Sequence, residues 1–275
     1  FGNNANIGGV AGSMTGAGAV EFTNNTQAKA AISTGSTLKG GARIGGAIGY
    51  VGDATVTVNA SGLTVGGSIV AGESASSKKI AQVGGFIGSI AQGDQINVQN
   101  QANVATVNIT GLVFDSFAMT VGKNGDAKNG AGGLLGYSWG NANVTIGDAN
   151  KNASDSTYAL KATGSSITAK DSGELGGLVY AASGHWVIND YAIDLSGASI
   201  NANTAKTLGV LVGRGCKVNN TVTYGVEKYA GLYLENRAPW KTAYKVEGID
   251  ITDSKVEVFD EWVGNGVRPS SKLMD

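Results

Sequence analysis

Residues 84–89 read Gly84-Gly85-Phe86-Ile87-Gly88-Ser89, a glycine-led apolar box that recurs along the chain. The other copies begin at Gly8, Gly45, Gly132, Gly176, Gly209 and Ala230. The interval between successive copies varies, so the units share a core pattern and differ in loop length. Such self-similarity is typical of repeat architectures, in which each unit buries its apolar face against its neighbours.

A second motif, a Ser/Thr-Gly turn between apolar positions, alternates with the box. Its glycines are Gly62, Gly111, Gly164 and Gly197, and Asp253 takes the same place in a further copy. Short segments of alternating apolar and polar residues lie between the two motifs, at Ala54–Val58, Gln95–Val98, Asn143–Ile146 and Trp186–Asn189. Alternation with a period of two predicts half-buried strands.

These patterns predict an all-β fold, a parallel β-helix or solenoid with irregular coils. Each unit is expected to supply three strand segments: the box, the alternating strand and a segment split by the Ser/Thr-Gly turn. Paired glycines are expected to let the backbone bend sharply or approach the next coil closely. These glycines are Gly45, Gly46, Gly84, Gly85, Gly132, Gly133, Gly176 and Gly177. A β-sandwich array is the alternative, because regularly spaced strands also predict it.

The chain is expected to divide into β-solenoid repeats over 1–234, a terminal coil or cap over 235–263 and a tail or linker over 264–275. Both prolines and a cluster of charged residues fall after residue 234. Charged or bulky residues at the end of a solenoid protect its open strand edges and its core. The first residue is Phe1 rather than methionine, which predicts a processed product or a fragment of a longer protein.

Composition excludes several classes of protein. The 275 residues include 44 glycines and 2 prolines, with 42% hydrophobic and 15% charged residues, a balance too apolar for intrinsic disorder. The formal net charge of −1 offers little attraction for phosphates, so nucleic acid is not an expected partner. No apolar run approaches the length of a membrane span, so membrane insertion is not expected. A single histidine and a single cysteine exclude an intrachain disulfide and a metal site rich in these residues.

Three of the boxes resemble the GLUG-type repeats of bacterial surface proteins, which read roughly Gly-Gly-Leu-Val-Gly before a polar turn and a short strand. They are Gly84–Gly88, Gly132–Tyr137 and Leu175–Val179. GLUG-type repeats occur in large secreted adhesins and beside secreted protease domains. The resemblance covers about Gly8 to Leu234 and implies an extracellular, non-catalytic repeat region with no catalytic residue to carry over. The pattern is broken at Gly209 and Ala230, where the second glycine is displaced or absent.

His185 and Cys216 are the only residues of their types. Aligning Trp186–Asn189 with the segment that begins at Lys217 predicts that His185 lies over Cys216 in an adjacent coil. A cysteine beside a histidine can form an activated thiolate. The alternative interpretation is two small or polar residues that share a turn.

Acidic residues supply the next candidates. A polysaccharide-cleaving β-helix needs clustered acids in one groove, and Asp148, Asp190 and Asp194 follow related strands. Asp is also a common turn residue, and spacing singles out no acid pair.

Lys123–Asp126 and Gly147–Asn150 offer oxygens for a structural calcium ion, although neither matches an EF-hand or a nonapeptide calcium repeat. No other cofactor is expected.

Aromatic residues follow several boxes. When the boxes are aligned, Tyr50, Tyr137 and Tyr180 fall at equivalent positions, and Trp139 is nearby. Rings that face outward would form a strip suited to stacking sugars, whereas rings that face inward would fill a corner of the coil. The corner is favoured, and the outward arrangement makes these four residues the candidate ligand-stacking set.

The sequence therefore predicts a non-catalytic, secreted repeat segment that is extracellular or at the cell surface. It is expected to form a structural or adhesive rod or fibre, such as a surface filament, a sheath or an adhesin stalk. The expected partners are further copies of itself, joined end to end or side by side, or a cell-surface glycan. A glycan- or host-surface-binding module is the alternative, which an aromatic or Asn/Thr ladder on one face would favour. A polysaccharide-cleaving enzyme comes third. An ice-binding face would need Thr-x-Thr ladders in register, and Thr55-Val56-Thr57 does not recur.

Overall fold

The chain is all-β in a computed structural model, and the strand pairs of the described part are parallel. The structure describes residues 5–23, 25–33, 37–38, 42–52, 55–71, 73–74, 81–90, 105–122, 130–138, 142–148, 158–169, 174–182, 184–188, 193–194, 198–201, 207–209, 212–215, 232–236 and 245–247. Within these ranges no helix is present, and so none with the length and hydropathy of a membrane span. The all-β prediction is confirmed for these residues.

The strands, numbered in chain order, form four long sheets. The first sheet contains β1 (Asn6–Gly8), β6 (Arg43–Gly45), β11 (Gln82–Gly84), β15 (Gly130–Gly132), β20 (Glu174–Gly176) and β25 (Thr207–Gly209). The second sheet contains β2 (Ala11–Met14), β7 (Ile48–Val51), β12 (Ile87–Ile90), β16 (Leu135–Ser138), β21 (Val179–Ala182) and β26 (Val212–Gly215). The third sheet contains β3 (Gly18–Phe22), β8 (Val56–Ala60), β13 (Ala105–Ile109), β17 (Ala142–Ile146), β22 (Gly184–Ile188) and β27 (Leu232–Asn236).

The fourth sheet is the least regular. It contains β4 (Thr26–Ser33), β9 (Leu63–Ala71), β14 (Leu112–Val121), β18 (Leu160–Thr163), β19 (Ser165–Ala169), β23 (Ile193–Asp194), β24 (Ala198–Asn201) and β28 (Lys245–Glu247). The short strands β5 (Thr37–Leu38) and β10 (Glu73–Ser74) pair separately. In the third repeat the third-sheet strand is Ala105–Ile109, and the predicted strand at Gln95–Val98 lies outside the described residues.

Each repeat begins at a first-sheet strand, and its strands pair with their counterparts one repeat earlier and one repeat later. The six repeats begin at Asn6, Arg43, Gln82, Gly130, Glu174 and Thr207. This pairing is consistent with the predicted β-helix or solenoid, and it differs from the antiparallel pairing that builds β-sandwiches.

The glycine box forms two strands rather than the single strand predicted. It bends at its second glycine, so that Gln82–Gly84 lies in the first sheet and Ile87–Ile90 lies in the second. Backbone amides in the bend bond to the next repeat, as the amide of Phe86 does when it donates to the carbonyl oxygen of Leu134 at 2.9 Å. The first glycines of the boxes lie in register, at Gly8, Gly45, Gly84, Gly132, Gly176 and Gly209.

The segment Ala230–Leu234 is not a glycine box, and that prediction is wrong. Its described residues belong to β27 of the third sheet, where Leu234 lies beside Trp186. Strands β27 and β28 continue the third and fourth sheets beyond residue 234, to Glu247. The predicted tail over 264–275 lies outside the described residues.

Two Ser/Thr-Gly turns, at Gly62 and Gly111, form the corner between the third and fourth sheets. The backbone amides of Thr110 and Gly111 donate to the carbonyl oxygen of Ala60 at 2.8 and 2.9 Å. The same corner is thus stacked from one repeat to the next by main-chain hydrogen bonds.

Gly164 occupies a different place from these corners, so its predicted equivalence to Gly62 and Gly111 is wrong. It interrupts the fourth sheet between β18 and β19, beside the bulge at Ser116 of β14, and both residues have positive φ (58° and 51°). Gly197 lies outside the described residues, directly before Ala198, which pairs with Ser165. The Ser/Thr-Gly motif of the sequence therefore corresponds to two different backbone features, a corner between the third and fourth sheets and an interruption within the fourth sheet.

Core residues lie in rows that cross the repeats. In the third sheet Val20, Val58, Val107 and Val144 stack in register, and the last three are fully buried. Alternate residues of a strand point to opposite faces, so the period-two pattern places these rows inside. Full burial of such a side chain contributes about 1.5–3 kcal/mol.

The first glycines of the first three boxes, Gly8, Gly45 and Gly84, lie where a side chain would overlap the backbone. A Cβ atom at Gly84 would collide with the carbonyl oxygen of Ile87 and lie 2.5 Å from the backbone nitrogen of Gly136 in the next repeat. A Cβ atom at the following residue, Gly85, would collide with the carbonyl oxygen of Gly133. The predicted role in close backbone approach is therefore confirmed for Gly45, Gly46, Gly84 and Gly85.

We expect Gly84→Ala to lower the free energy of unfolding by about 2–3 kcal/mol, because neighbouring backbone cannot move aside without breaking the stack. Chemical denaturation followed by circular dichroism measures this loss. Gly66→Ala is the comparison variant, because a Cβ atom there would lie 3.0 Å from the carbonyl oxygen of Asp115 and would otherwise meet only the flexible side chain of Lys29, so we expect a smaller loss. Equal destabilisation by the two substitutions would contradict the close-approach explanation.

A small cavity of about 20 Å³ in the described part of the chain is lined among others by Phe114, Leu134, Ala162 and Leu178. Ala162 lies in register with Phe114, which lies in register with Val65, so the fourth repeat contributes the smallest side chain of this row.

Ala162→Val is expected to raise the free energy of unfolding by about 0.5–1.5 kcal/mol, because it fills this cavity with a residue that suits a strand. Thermal unfolding of the purified chain checks the gain. Ala60→Val adds the same atoms at a fully buried position that does not line the cavity, so we expect no gain there. A gain at position 60 equal to that at position 162 would count against the cavity explanation.

Candidate ligand-binding face

The outward side chains of the third sheet form two rows that are polar apart from Ala19, and we call them the third-sheet outer face. Inward positions of β8, β13 and β17 are buried, and the positions between them are partly exposed. The first row contains Ala19, Thr57, Thr106 and Asn143. The second row contains Glu21, Asn59, Asn108 and Thr145. The face is thus built by strand alternation and by the register of parallel pairing.

A hydrogen-bonded ladder runs along the second row. The side-chain amide of Asn108 donates from Nδ2 to Oδ1 of Asn59 at 2.8 Å. Asn59 in turn donates from Nδ2 to Oε1 of Glu21 at 2.6 Å. The ladder therefore has one direction across three repeats, and it ends on a carboxylate.

This ladder leaves hydrogen-bonding capacity for a ligand. A side-chain amide carries two N–H donors and an oxygen with two lone pairs. Asn59 uses one donor towards Glu21 and one lone pair towards Asn108. Its remaining donor and lone pair, fixed in direction by the ladder, can bond to a bound molecule.

The spacing of the face is set by the sheet. Neighbouring strands lie about 4.8 Å apart, and alternate residues of one strand lie about 6.6 Å apart. Each of the second, third and fourth repeats contributes one threonine and one asparagine. The result is a lattice of uncharged hydroxyl and amide groups that repeats once per strand.

Further residues continue these rows by register. His185 pairs with Asn143 on one side and with Tyr233 on the other. The prediction that His185 lies over Cys216 is therefore wrong, since Tyr233 takes that place and Cys216 lies outside the described residues. The prediction placed the next third-sheet strand at Lys217, whereas that strand, β27, begins at Leu232.

The outer face of the fourth sheet has a different character. Lys29 and Asp115 flank Gly66 in register, and Nζ of Lys29 lies 3.9 Å from Oδ2 of Asp115. Both side chains are about half exposed, so this ion pair contributes little to stability. Val70 is exposed on the same face beside Thr120. Charged and apolar groups thus interrupt this face.

Tyr50 does not offer an open ring. Its relative exposure is 4%, and the guanidinium carbon of Arg43 lies 4.5 Å from the ring centroid. Arg43 also donates from Nη1 to Oδ1 of Asn6 at 3.2 Å. These contacts hold Tyr50 against the box as a packing residue.

The other candidate aromatic residues do not share one row. Tyr137 is half-buried and pairs in register with Ala181, so Tyr180 lies one position away and is not equivalent to it. The predicted equivalence is wrong because the box of the fifth repeat lacks the glycine that precedes Tyr137. The side chain of Tyr180 and the whole of Trp139 lie outside the described residues.

The acidic candidates are not brought together in the described part of the chain. Asp148 follows the corner after β17, whereas Asp194 pairs with Lys161 in the fourth sheet. Asp190 and Lys123–Asp126 lie outside the described residues. Among the residues that the structure describes, no three of His, Cys, Asp and Glu are grouped as metal ligands.

The ladder was missed at the sequence level although its signal was present. Val58-Asn59-Ala60 and Val107-Asn108-Ile109 place asparagine at the same point before the Ser/Thr-Gly corner. Aligning the chain on that corner, rather than on the glycine boxes alone, brings the two asparagines together.

Comparison with protein-family models, curated proteins and solved structures found no match to this chain. The resemblance to GLUG-type repeats stays a prediction.

Asn59→Asp is expected to lower the free energy of unfolding by about 1–2 kcal/mol at neutral pH, because it sets a carboxylate against Glu21. Denaturant unfolding measures the loss. Adding Glu21→Gln to the same chain should restore stability, because the new amide can donate to the carboxylate at position 59. A double variant no more stable than the single one would contradict the ladder.

Proposed function

We propose that this chain is a β-solenoid segment of an extracellular or cell-surface protein, with a structural or adhesive and non-catalytic role. The observation that supports the proposal is the in-register stacking of the glycine boxes from Gly8 to Gly209. Resemblance of the boxes to GLUG-type repeats supports the secreted, surface location. In this proposal the repeats supply length, and copies of the chain or a surface glycan are its partners.

The stacking supports a rod for a mechanical reason. Each repeat bonds to its neighbours through four strands, so force along the stack is shared among many parallel hydrogen bonds. The apolar rows are continuous from repeat to repeat, and no single repeat can bury its inner face alone. Length can therefore be changed by adding repeats without changing the core.

Inserting four further copies of residues 82–129 after residue 129 tests the rod. We expect the maximum dimension in small-angle X-ray scattering to grow by about 19 Å, at about 4.8 Å per added repeat. A scrambled insert of the same length and composition is the control. An increase many times larger would indicate separate domains joined in a line, as in a β-sandwich array, and would contradict the solenoid.

The extracellular or cell-surface location can be tested separately from the rod. Antibodies against the chain should label intact producing cells, and protease added outside those cells should remove the label. Label found only after the cells are opened would overturn the extracellular role and leave the solenoid untouched.

A second candidate function is glycan binding. The observation that favours it is the lattice of threonine and asparagine side chains on the third-sheet outer face, which includes the Asn59–Asn108 ladder. Neutral hydroxyl and amide groups bond well to sugar hydroxyls, and a rod that presents them in a row would serve adhesion.

A further inference from the structure

We infer that the third-sheet outer face binds an extended, neutral polysaccharide with equatorial linkages, laid parallel to the stacking direction with one sugar per repeat. The inference rests on the second proposed function and specifies its ligand class and its orientation. The side chains proposed to contact the polysaccharide are the six outward residues of the second, third and fourth repeats: Thr57, Asn59, Thr106, Asn108, Asn143 and Thr145.

The period of the face favours this orientation. The two rows repeat every ~4.8 Å along the stacking direction. An extended chain of equatorially linked pyranoses advances by a similar distance per sugar, so each sugar meets the same pair of groups. A chain laid across the rows would meet only the two outward residues of each strand.

Each of the second, third and fourth repeats presents one hydroxyl group and one amide group on this face. The second and third repeats present threonine and then asparagine along the strand, and the fourth presents asparagine and then threonine. A hydroxyl and an amide each both donate and accept, so together they can bond to two hydroxyls, or to a hydroxyl and an acetamido group, of one sugar.

The charge of the face points to a neutral ligand. The six side chains are uncharged, and the described charge nearest to them in the rows is the carboxylate of Glu21 at one end. A polyanion would gain no counter-charge from this face and would be repelled at that end. By register the first row continues to His185 and the second row continues through Val187 to Glu235, so the carboxylates lie beyond the two ends of the six neutral groups and a polycation would find no charge among them.

The ladder lowers the cost of binding. Asn59 is held by hydrogen bonds on both sides, and all six side chains are only partly exposed between their neighbours. Side chains that are ordered before binding lose little conformational entropy when a ligand arrives. Weak contacts repeated along the polymer then add up along its length.

The test uses the full 275-residue chain and a matched pair of variants. Thr106→Arg puts a long charged side chain at the centre of the face. Thr120→Arg makes the same change in the same repeat, on the outer side of the fourth sheet. Both positions are half-buried in their strands, and circular dichroism and thermal melting establish that each variant is folded.

The probes are insoluble cellulose and chitin for neutral equatorial chains, starch for axial linkages and polygalacturonate for a polyanion. We expect retention on cellulose or chitin and not on the other two. Thr106→Arg should weaken it at least tenfold, and Thr120→Arg should change it less than twofold. Affinity for soluble oligosaccharides of the retained class should rise with each sugar up to at least three, since the six side chains span three repeats.

The possible failures are distinguishable. Retention that Thr106→Arg leaves unchanged would overturn this face while keeping a glycan-binding function. Retention on starch, or affinity independent of oligosaccharide length, would overturn the orientation. A folded chain that binds none of the probes would overturn both the inference and the second function, and the rod would stand. If the chain shows thermal hysteresis of ice and no glycan retention, the face binds ice. If the chain instead self-associates and Thr106→Arg abolishes the association, the face binds a second copy.

Discussion

At the bend of the glycine box, backbone approaches backbone too closely to leave room for a Cβ atom, and the stacking of the repeats starts from this contact. Where a Cβ atom of Gly84 would stand, the carbonyl oxygen of Ile87 and the amide of Gly136 already lie. The bend of one repeat therefore nests against the bend of the next, with main-chain hydrogen bonds between them. A fixed nesting sets the register of the first two sheets. In the first, second, fourth and fifth repeats a short connection leads from the second sheet into the third, whereas in the third repeat the register of the third sheet depends on its own strand pairing.

One register governs both faces of a sheet, so the outward side chains stack in rows as the core residues do. The same pairing that stacks Val58 on Val107 inside the third sheet stacks Asn59 on Asn108 outside it. A slip of one residue would exchange the two faces, so burial of the valines protects the polar lattice from slipping. The proposed adhesive surface is thus maintained by the stability of the fold rather than by residues dedicated to it.

In the described residues, the bulge and the interruption of the fourth sheet leave the register of the other three long sheets unchanged. The fourth sheet takes up the bulge at Ser116 and the interruption at Gly164, both with positive φ. Variation in the distance between boxes falls in the connections between strands. Repeats of unequal length can therefore share one continuous core, which suits a segment whose proposed role is to provide length and a surface.

The kind of secondary structure could be predicted from the sequence, because alternation and glycine bends act within a few residues. The need for glycine at positions 84 and 85 could be predicted from the repeated box, although the atoms that they approach, in Gly136 and Gly133, belong to the next repeat. Which residues become neighbours across repeats could not be predicted, because connections of unequal length separate them. His185 lies beside Tyr233 rather than Cys216, and Asn108 bonds to Asn59, for that reason. The candidate face is a property of register, and register is set by long-range backbone pairing that no single motif encodes.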